Sequence, residues 1–284
     1  MLSPALAARR KPRVPPPDSS PDSSPDAVND IRDGSELSVG AYGYNVNYAE
    51  AVAPPGKSTE NGILPGARVE YKLHFGEGRW YLRAAGDVAL GSTQFNGNVW
   101  GTNQTLVTPT NDAISNVELN GGVVLTDPHA PSRLLAYLGI GLHNWNRIIT
   151  GGNGYPEDYL WLFFPVGLRW ENRFGNWSIV VDGSFHWGFA GKISAFLSQN
   201  PDLGYNDAFG SLGGISGGRL EVPVTYWLSE SWGIGLTPWV EYISVAQGPS
   251  FPLVPSDGSA ATTTTEPASQ AWLVGGYLYG VFHW

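Results

Sequence analysis

The sequence predicts an all-β protein: one closed antiparallel transmembrane β-barrel of about ten strands, with short periplasmic turns and long extracellular loops. Three observations predict it. Apolar and polar residues alternate with a period of two in segment after segment. Only 14% of the 284 residues are charged, although 42% are hydrophobic and 13% aromatic; an ordinary soluble domain carries about 25% charge. The longest apolar run, Trp161 to Leu168, is interrupted by Pro165 and falls far short of the roughly 20 residues that a spanning helix needs.

The elements follow in order. Residues 1–30 carry a run of prolines from Pro12 to Pro25 and a repeated Pro-Asp-Ser-Ser, a composition that favours a disordered, polyproline-like periplasmic tail. Ala5-Leu6-Ala7 within it has the small-x-small pattern of a signal-peptide remnant. The barrel is expected over 36–284. A first strand is read at Leu37–Tyr48. In the second, Ala67, Val69, Tyr71, Leu73 and Phe75 alternate with Arg68, Glu70, Lys72 and His74. The third places Trp80, Leu82, Ala84, Val88 and Leu90 opposite Arg83 and Asp87. The fourth sets Val117, Leu119, Val123 and Leu125 against Asn116, Glu118 and Asn120. The fifth, Leu134–Trp145, is ambiguous, because Leu135 and Trp145 fall on its polar face. The sixth opposes Phe164, Val166, Leu168 and Trp170 to Arg169 and Glu171. The seventh opposes Trp177, Ile179, Val181, Phe185, Trp187 and Phe189 to Asp182, Ser184 and His186. The last three run through Leu220–Leu228, Trp232–Tyr242 and Trp272–Trp284, with Arg219, Glu221, Thr237 and Glu241 on the polar side.

No charged residue falls on any of the apolar faces. Short connections are expected at 76–78, 126–132, 172–176 and 229–231, and long ones at about 49–61, 95–112, 147–158, 190–213 and 246–269. That alternation over an even number of strands is the layout of an outer-membrane barrel. Prolines 165, 223 and 238 lie inside predicted strands, where each loses a ladder hydrogen bond, so bulges are expected there.

The apolar faces are expected to look outward into lipid. So little charge could not cover a large water-facing cylinder. Trp80, Trp170, Trp177, Trp232, Phe282 and Trp284 stand on those faces beside the short turns, the depth that interfacial aromatics favour. Trp177 to Phe189, at about 3.3 Å per residue and a tilt near 40°, projects to roughly 30 Å, close to the apolar band of such barrels. Lipid offers no hydrogen-bond partners, so the sheet must close. The lumen then holds Arg68, Glu70, Arg83, Asp87, Glu118, Arg169, Glu171, Arg219, Glu221 and Glu241, a mixed set expected to pair across strands and plug it.

The final segment, Gly276 to Trp284, alternates apolar residues back from a terminal aromatic. It resembles the signal read by the barrel-assembly machinery of Gram-negative bacteria. Gly66-Ala67-Arg68-Val69-Glu70 and Gly167-Leu168-Arg169-Trp170-Glu171 resemble the Gly-x-Arg-x-Glu strands of small barrels of the OmpA/Opa-like class. The resemblance covers about 36–284 and implies an outer-membrane location, contact with lipopolysaccharide and assembly through that machinery. Two ten-stranded enzyme families fail on carry-over. Omptin proteases use an Asp-x-His couple at the external rim, and none falls in the predicted external loops. Deacylases of the PagL type use a lipid-facing His-x-Ser, whereas here the order is Ser184-x-His186 on a lumenal face.

Other chemistry is sparse. The absence of cysteine removes disulfides and thiolate sites, and the net charge of −9 argues against nucleic acid. His74, His129, His143 and His283 lack metal-ligand spacing, so neither metal nor cofactor is expected. Glu157, Asp158, Asp202 and Asp207 lack the regular spacing of a calcium loop. Asp182, Ser184 and His186 have the inventory of a nucleophilic triad, yet alternate residues on one strand stand about 7 Å apart. Trp100, Tyr155, Phe196, Leu203, Tyr205, Phe209, Phe251 and Leu253 lie in the loops, either as recognition elements or as cover for the mouth; Ala260–Ala268 is expected to be mobile. The leading expectation is a non-enzymatic surface barrel that binds an extracellular ligand through its loops. The alternatives are a narrow porin-like channel and a membrane-embedded hydrolase.

Overall fold

A computed structural model describes residues 34–51, 58–98, 104–151 and 154–284. The predicted tail and Trp100 lie outside the described residues. Fourteen strands follow one another: β1 (Gly34–Glu50), β2 (Ser58–Phe75), β3 (Trp80–Asn98), β4 (Thr105–Val124), β5 (Ser132–Ile149), β6 (Pro156–Phe174), β7 (Trp177–Ala195), β8 (Ala208–Ser211), β9 (Ile215–Glu221), β10 (Val224–Trp227), β11 (Trp232–Val245), β12 (Ser250–Leu253), β13 (Thr262–Thr265) and β14 (Ser269–His283). Ten staves form a closed antiparallel barrel. They are β1 to β7, β9 with β10 as one stave, β11 and β14. Closure is made by β14 pairing with β1, and by β9 and β10 pairing with β7 on one side and β11 on the other. Both barrel ends of the chain meet at the short-turn side, where Ser35 and Trp284 exchange backbone hydrogen bonds of 3.0 Å.

The apolar faces look outward. Val69, Val88, Val117, Leu138, Val166, Leu168, Phe185, Leu236, Val274 and Leu278 are all exposed on the barrel's outside, whereas Arg68, Arg83, Arg169 and Glu221 are buried within. Large exposed side chains are stable in that position only against hydrocarbon. Aromatic rings frame the band. At the short-turn end stand Phe75, Trp80, Trp170, Trp177, Trp232 and Trp284, with Phe282 stacked between Trp232 and Trp284. Nearer the loop end, Phe164 stacks on Phe189 and Tyr242 packs on Trp272.

Each predicted strand falls within a stave to within a residue at its ends, but the staves run further. β4 has 20 residues and β3 has 19. Among the described residues of the segments expected as loops at 49–61, 95–112 and 147–158, most are therefore strand. The reason is physical: beyond the lipid the outer face needs no apolar residue, so the wall continues while its alternation fades into Thr, Asn and Ser.

The prolines correct a second expectation. Pairing keeps one register past Pro165, Pro223 and Pro238. At Pro223 the ladder is interrupted between β9 and β10, and it resumes with the same partners on β7 and β11. The register shift lies elsewhere, between Leu160 and Leu162 of β6 opposite β7. There Ala190 takes a φ of 52°, which fits one extra residue on the bulged strand. Turn chemistry at the short-turn end is direct: Gly76, Glu77 and Gly78 all have positive φ in the β2–β3 hairpin, a region glycine enters without steric cost.

Candidate functional site

The lumen has two storeys. The lower and middle storey is ionic. Two residues apart on one strand, Arg68 and Glu70 meet at 3.1 Å, Arg169 and Glu171 at 2.6 Å, and Arg219 and Glu221 at 2.6 Å. Links between strands join these couples. Arg83 contacts Glu70 at 2.8 Å and Glu118 at 3.1 Å; Arg68 contacts Asp87 at 3.4 Å. Arg169 holds Asp182 at 2.9 Å, whose other oxygen accepts from the Tyr137 hydroxyl at 2.6 Å. Gly167 makes this possible, because a Cβ there would lie 2.3 Å from the Tyr137 ring. Arg219 contacts Glu241 at 3.0 Å and stacks over Trp239 at 4.1 Å. The widest link is Arg83 to Glu221 at 3.4 Å: β3 and β9 lie five staves apart in either direction, so this pair spans the diameter.

Sequence reasoning missed other members of the lining. Arg133 contacts Glu171 at 2.7 Å, and its guanidinium reaches His74 at 3.0 Å. Lys72, already expected on the inward face, reaches Glu36 at 2.9 Å. Near the loop end Arg147 gathers Glu60, Glu157 and Glu50 at 2.8, 3.1 and 3.4 Å. Arg133, Glu60 and Glu157 sit where strand ends read as loops, so their inward direction had no alternation to reveal it.

The upper storey is largely apolar apart from the Arg147 carboxylate cluster on its wall, which corrects the expectation of a polar lumen throughout. Val46, Ile114, Trp145, Tyr159, Trp161, Leu212, Val245 and Leu273 are buried in one cluster and surround a small cavity. The two residues that made β5 ambiguous, Leu135 and Trp145, both point inward. The mouth is covered. Phe251 and Leu253 are buried in the same cluster, and Leu203, Tyr205 and Tyr155 pack against it. The hairpin of β12 and β13 lies there, so the Thr262–Thr265 run is paired as a strand. Phe209 remains exposed. Glu266 leaves β13 and turns into the cavity wall, accepting a hydrogen bond from the Tyr159 hydroxyl at 3.0 Å. Its carboxyl is held well above the ordinary value, first by burial and then by the nearby Glu50 and Glu157.

The candidate nucleophilic group is regrouped. Ser184 Oγ lies 2.9 Å from His186 Nε2. The acid is not Asp182, which is committed to Arg169 and Tyr137. Instead Glu241, two staves away on β11, places Oε1 3.4 Å from His186 Nδ1. Phe163 stacks on the imidazole at 4.9 Å.

The remaining candidates have ordinary partners. His143 stacks on Trp161 at 3.8 Å and meets Asn116 at 2.7 Å. Asp158 accepts from Asn144, and Asp207 from the backbone of Ser198. Among the described residues no group of three His, Asp or Glu could hold a metal ion. One Asp-x-His does occur, Asp127-Pro128-His129, but in the turn between β4 and β5 at the short-turn end.

No family model and no curated protein matches the sequence. Solved structures do match. The outer-membrane protease OmpT of Escherichia coli superposes with a TM-score of 0.51 at 12% identity, covering 88% of this chain and 96% of that one. The outer-membrane protein OprG of Pseudomonas aeruginosa gives a TM-score of 0.43 at 9% identity, covering 90% and 98%. Neisserial surface protein A gives 0.31 at 10% identity, covering 89% and 100%. The likeness to OmpT is one of fold: this chain forms a closed antiparallel β-barrel of the same kind.

Proposed function

From that fold, we propose that the chain is a sealed surface barrel: it carries no ion current and acts through what its lidded loop end binds. One observation carries the reading. The Arg83–Glu221 pair crosses the full width of the lumen and is tied at both ends to further ion pairs. A ring of like charges would attract and pass counter-ions, whereas a mixed, mutually paired lattice leaves no free charge to solvate a passing ion. The apolar storey and its cover close the path a second time.

The loop aromatics support binding at a formed surface more than at waving loops, since most of them are already packed. The outer girdles fit a bilayer with lipopolysaccharide on its outer side. The terminal strand ending at Trp284 fits recognition by the barrel-assembly machinery. The experiment is single-barrel recording in planar bilayers. The expected trace is indistinguishable from bare lipid, and Arg83→Ala with Glu221→Ala should introduce discrete openings. Steady conductance from the unaltered barrel would favour the narrow-channel reading instead.

A further inference from the structure

A group of three side chains in the middle of the lumen goes beyond surface binding. The geometry points to Ser184, His186 and Glu241 as a hydrolytic site for small carboxylic esters with an apolar acyl group.

The parts are arranged as acyl transfer needs them. Ser184 Oγ is within hydrogen-bond reach of His186 Nε2, at 2.9 Å. The other ring nitrogen faces Glu241 Oε1 at 3.4 Å, a contact of the looser kind seen before substrate binds. Each member is itself held. Phe163 stacks on the imidazole, and Arg219 fixes the second oxygen of Glu241 at 3.0 Å. That is the orienting order nucleophile, base, acid, by geometry and not by sequence position.

The three side chains open onto one small polar cavity, whose wall also carries Arg83, Arg219 and Asn116. Those N–H groups are paired, Arg83 and Arg219 with carboxylates and Asn116 with Asp87. A second cavity shares His186, Glu241, Phe163 and Asn116 with the first and adds Trp161, Ile215 and Ile243. It in turn shares His143, Trp161 and Ile243 with the apolar chamber above. An acyl or aryl group lying toward Trp161 and Ile243 would bring its carbonyl to Ser184. A polar cavity of this kind also accommodates water.

The step balances without a cofactor. Ser184 Oγ bonds to the carbonyl carbon as its proton passes to His186 Nε2, and Glu241 stabilises the imidazolium. The ester C–O bond breaks, and the departing alcohol takes the proton from His186. Water then gives a proton to His186 and attacks the acyl carbon. The C–Oγ bond breaks, Ser184 regains its proton and a carboxylic acid leaves.

The test uses the full chain, folded in detergent and checked for heat-modifiable migration. Diisopropyl fluorophosphate is added and the adduct is mapped by mass spectrometry; p-nitrophenyl acetate turnover is followed in parallel. We expect one adduct, at Ser184, with a nitrophenol burst matching the number of folded barrels. Ser184→Ala should abolish both. His186→Gln should slow labelling at least a hundredfold. Glu241→Gln should slow it about tenfold, with Glu241→Asp recovering part of the loss. Absence of an adduct on the unaltered, folded barrel overturns the proposal, as does modification of another serine or an unchanged labelling rate in folded His186→Gln. Since labelling needs no ion current, failure here leaves the sealed-barrel reading standing, and conductance leaves this one standing.

Discussion

Arg169 shows how the lumen charges hold one another. Its guanidinium bridges Glu171 and Asp182 in a site shielded from water. Removing one partner from such a group leaves bare charge behind, at a cost of about 3–5 kcal/mol. Arg169→Ala should therefore lower the unfolding free energy by about that amount in urea titrations from lipid vesicles. Glu266 gives a second residue-scale prediction. Its folded-state carboxyl keeps its proton at pH values where an unfolded glutamate has lost it. Its contribution is thus fullest below the ordinary carboxylate range and declines as pH rises from there toward the raised value. Glu266→Gln should flatten that pH dependence, by at most about 1.4 kcal/mol per pH unit, and should stabilise the chain at pH 8 in the same titrations. The Arg-x-Glu couples were legible because alternation puts both members on one face. The Ser184–His186–Glu241 grouping was not: spacing along β7 suggested Asp182, and only closure of the sheet brings β11 near.

At the scale of the strand, the outward direction of β6 and β7 makes a sharp demand. Leu168 and Val181 both face the lipid. An arginine near the midplane of a barrel's lipid face costs about 2–4 kcal/mol and less toward the interface, so Leu168→Arg should lose about that much in vesicle unfolding measurements and Val181→Arg, level with Trp170, a smaller amount. The bulge offers the opposite sign. Ala190 sits at φ 52°, where a Cβ costs about 1–2 kcal/mol; Ala190→Gly should stabilise the barrel by roughly 1 kcal/mol. Strand existence could be read from period-two alternation, since lipid outside and charge inside impose it. Strand length could not, because above the membrane only backbone pairing extends the wall. Nor could the bulge. Proline marks a missing donor, and a ladder with a missing donor can keep its register, as at Pro165, Pro223 and Pro238.

For the whole molecule, one asymmetry explains the architecture. The outside is apolar because the solvent there is hydrocarbon, and the inside can be ionic because the cylinder brings opposite charges within contact distance. The two-storey lumen refines that account: charges fill the middle, while aromatics and the folded cover close the loop end. Composition and alternation already implied the cylinder and its polarity. The aromatic storey escaped notice because Tyr42, Tyr44, Val46 and Tyr48 line the inner face of β1 without a charge among them. The most direct test is the depth of nitroxides placed singly at Leu168, Val181 and Leu236, read by collision with oxygen and with a water-soluble nickel chelate in reconstituted vesicles. The account predicts strong oxygen collision and almost none with nickel at all three sites. Labels that neither reagent reaches, as in a dry protein interior, would contradict it.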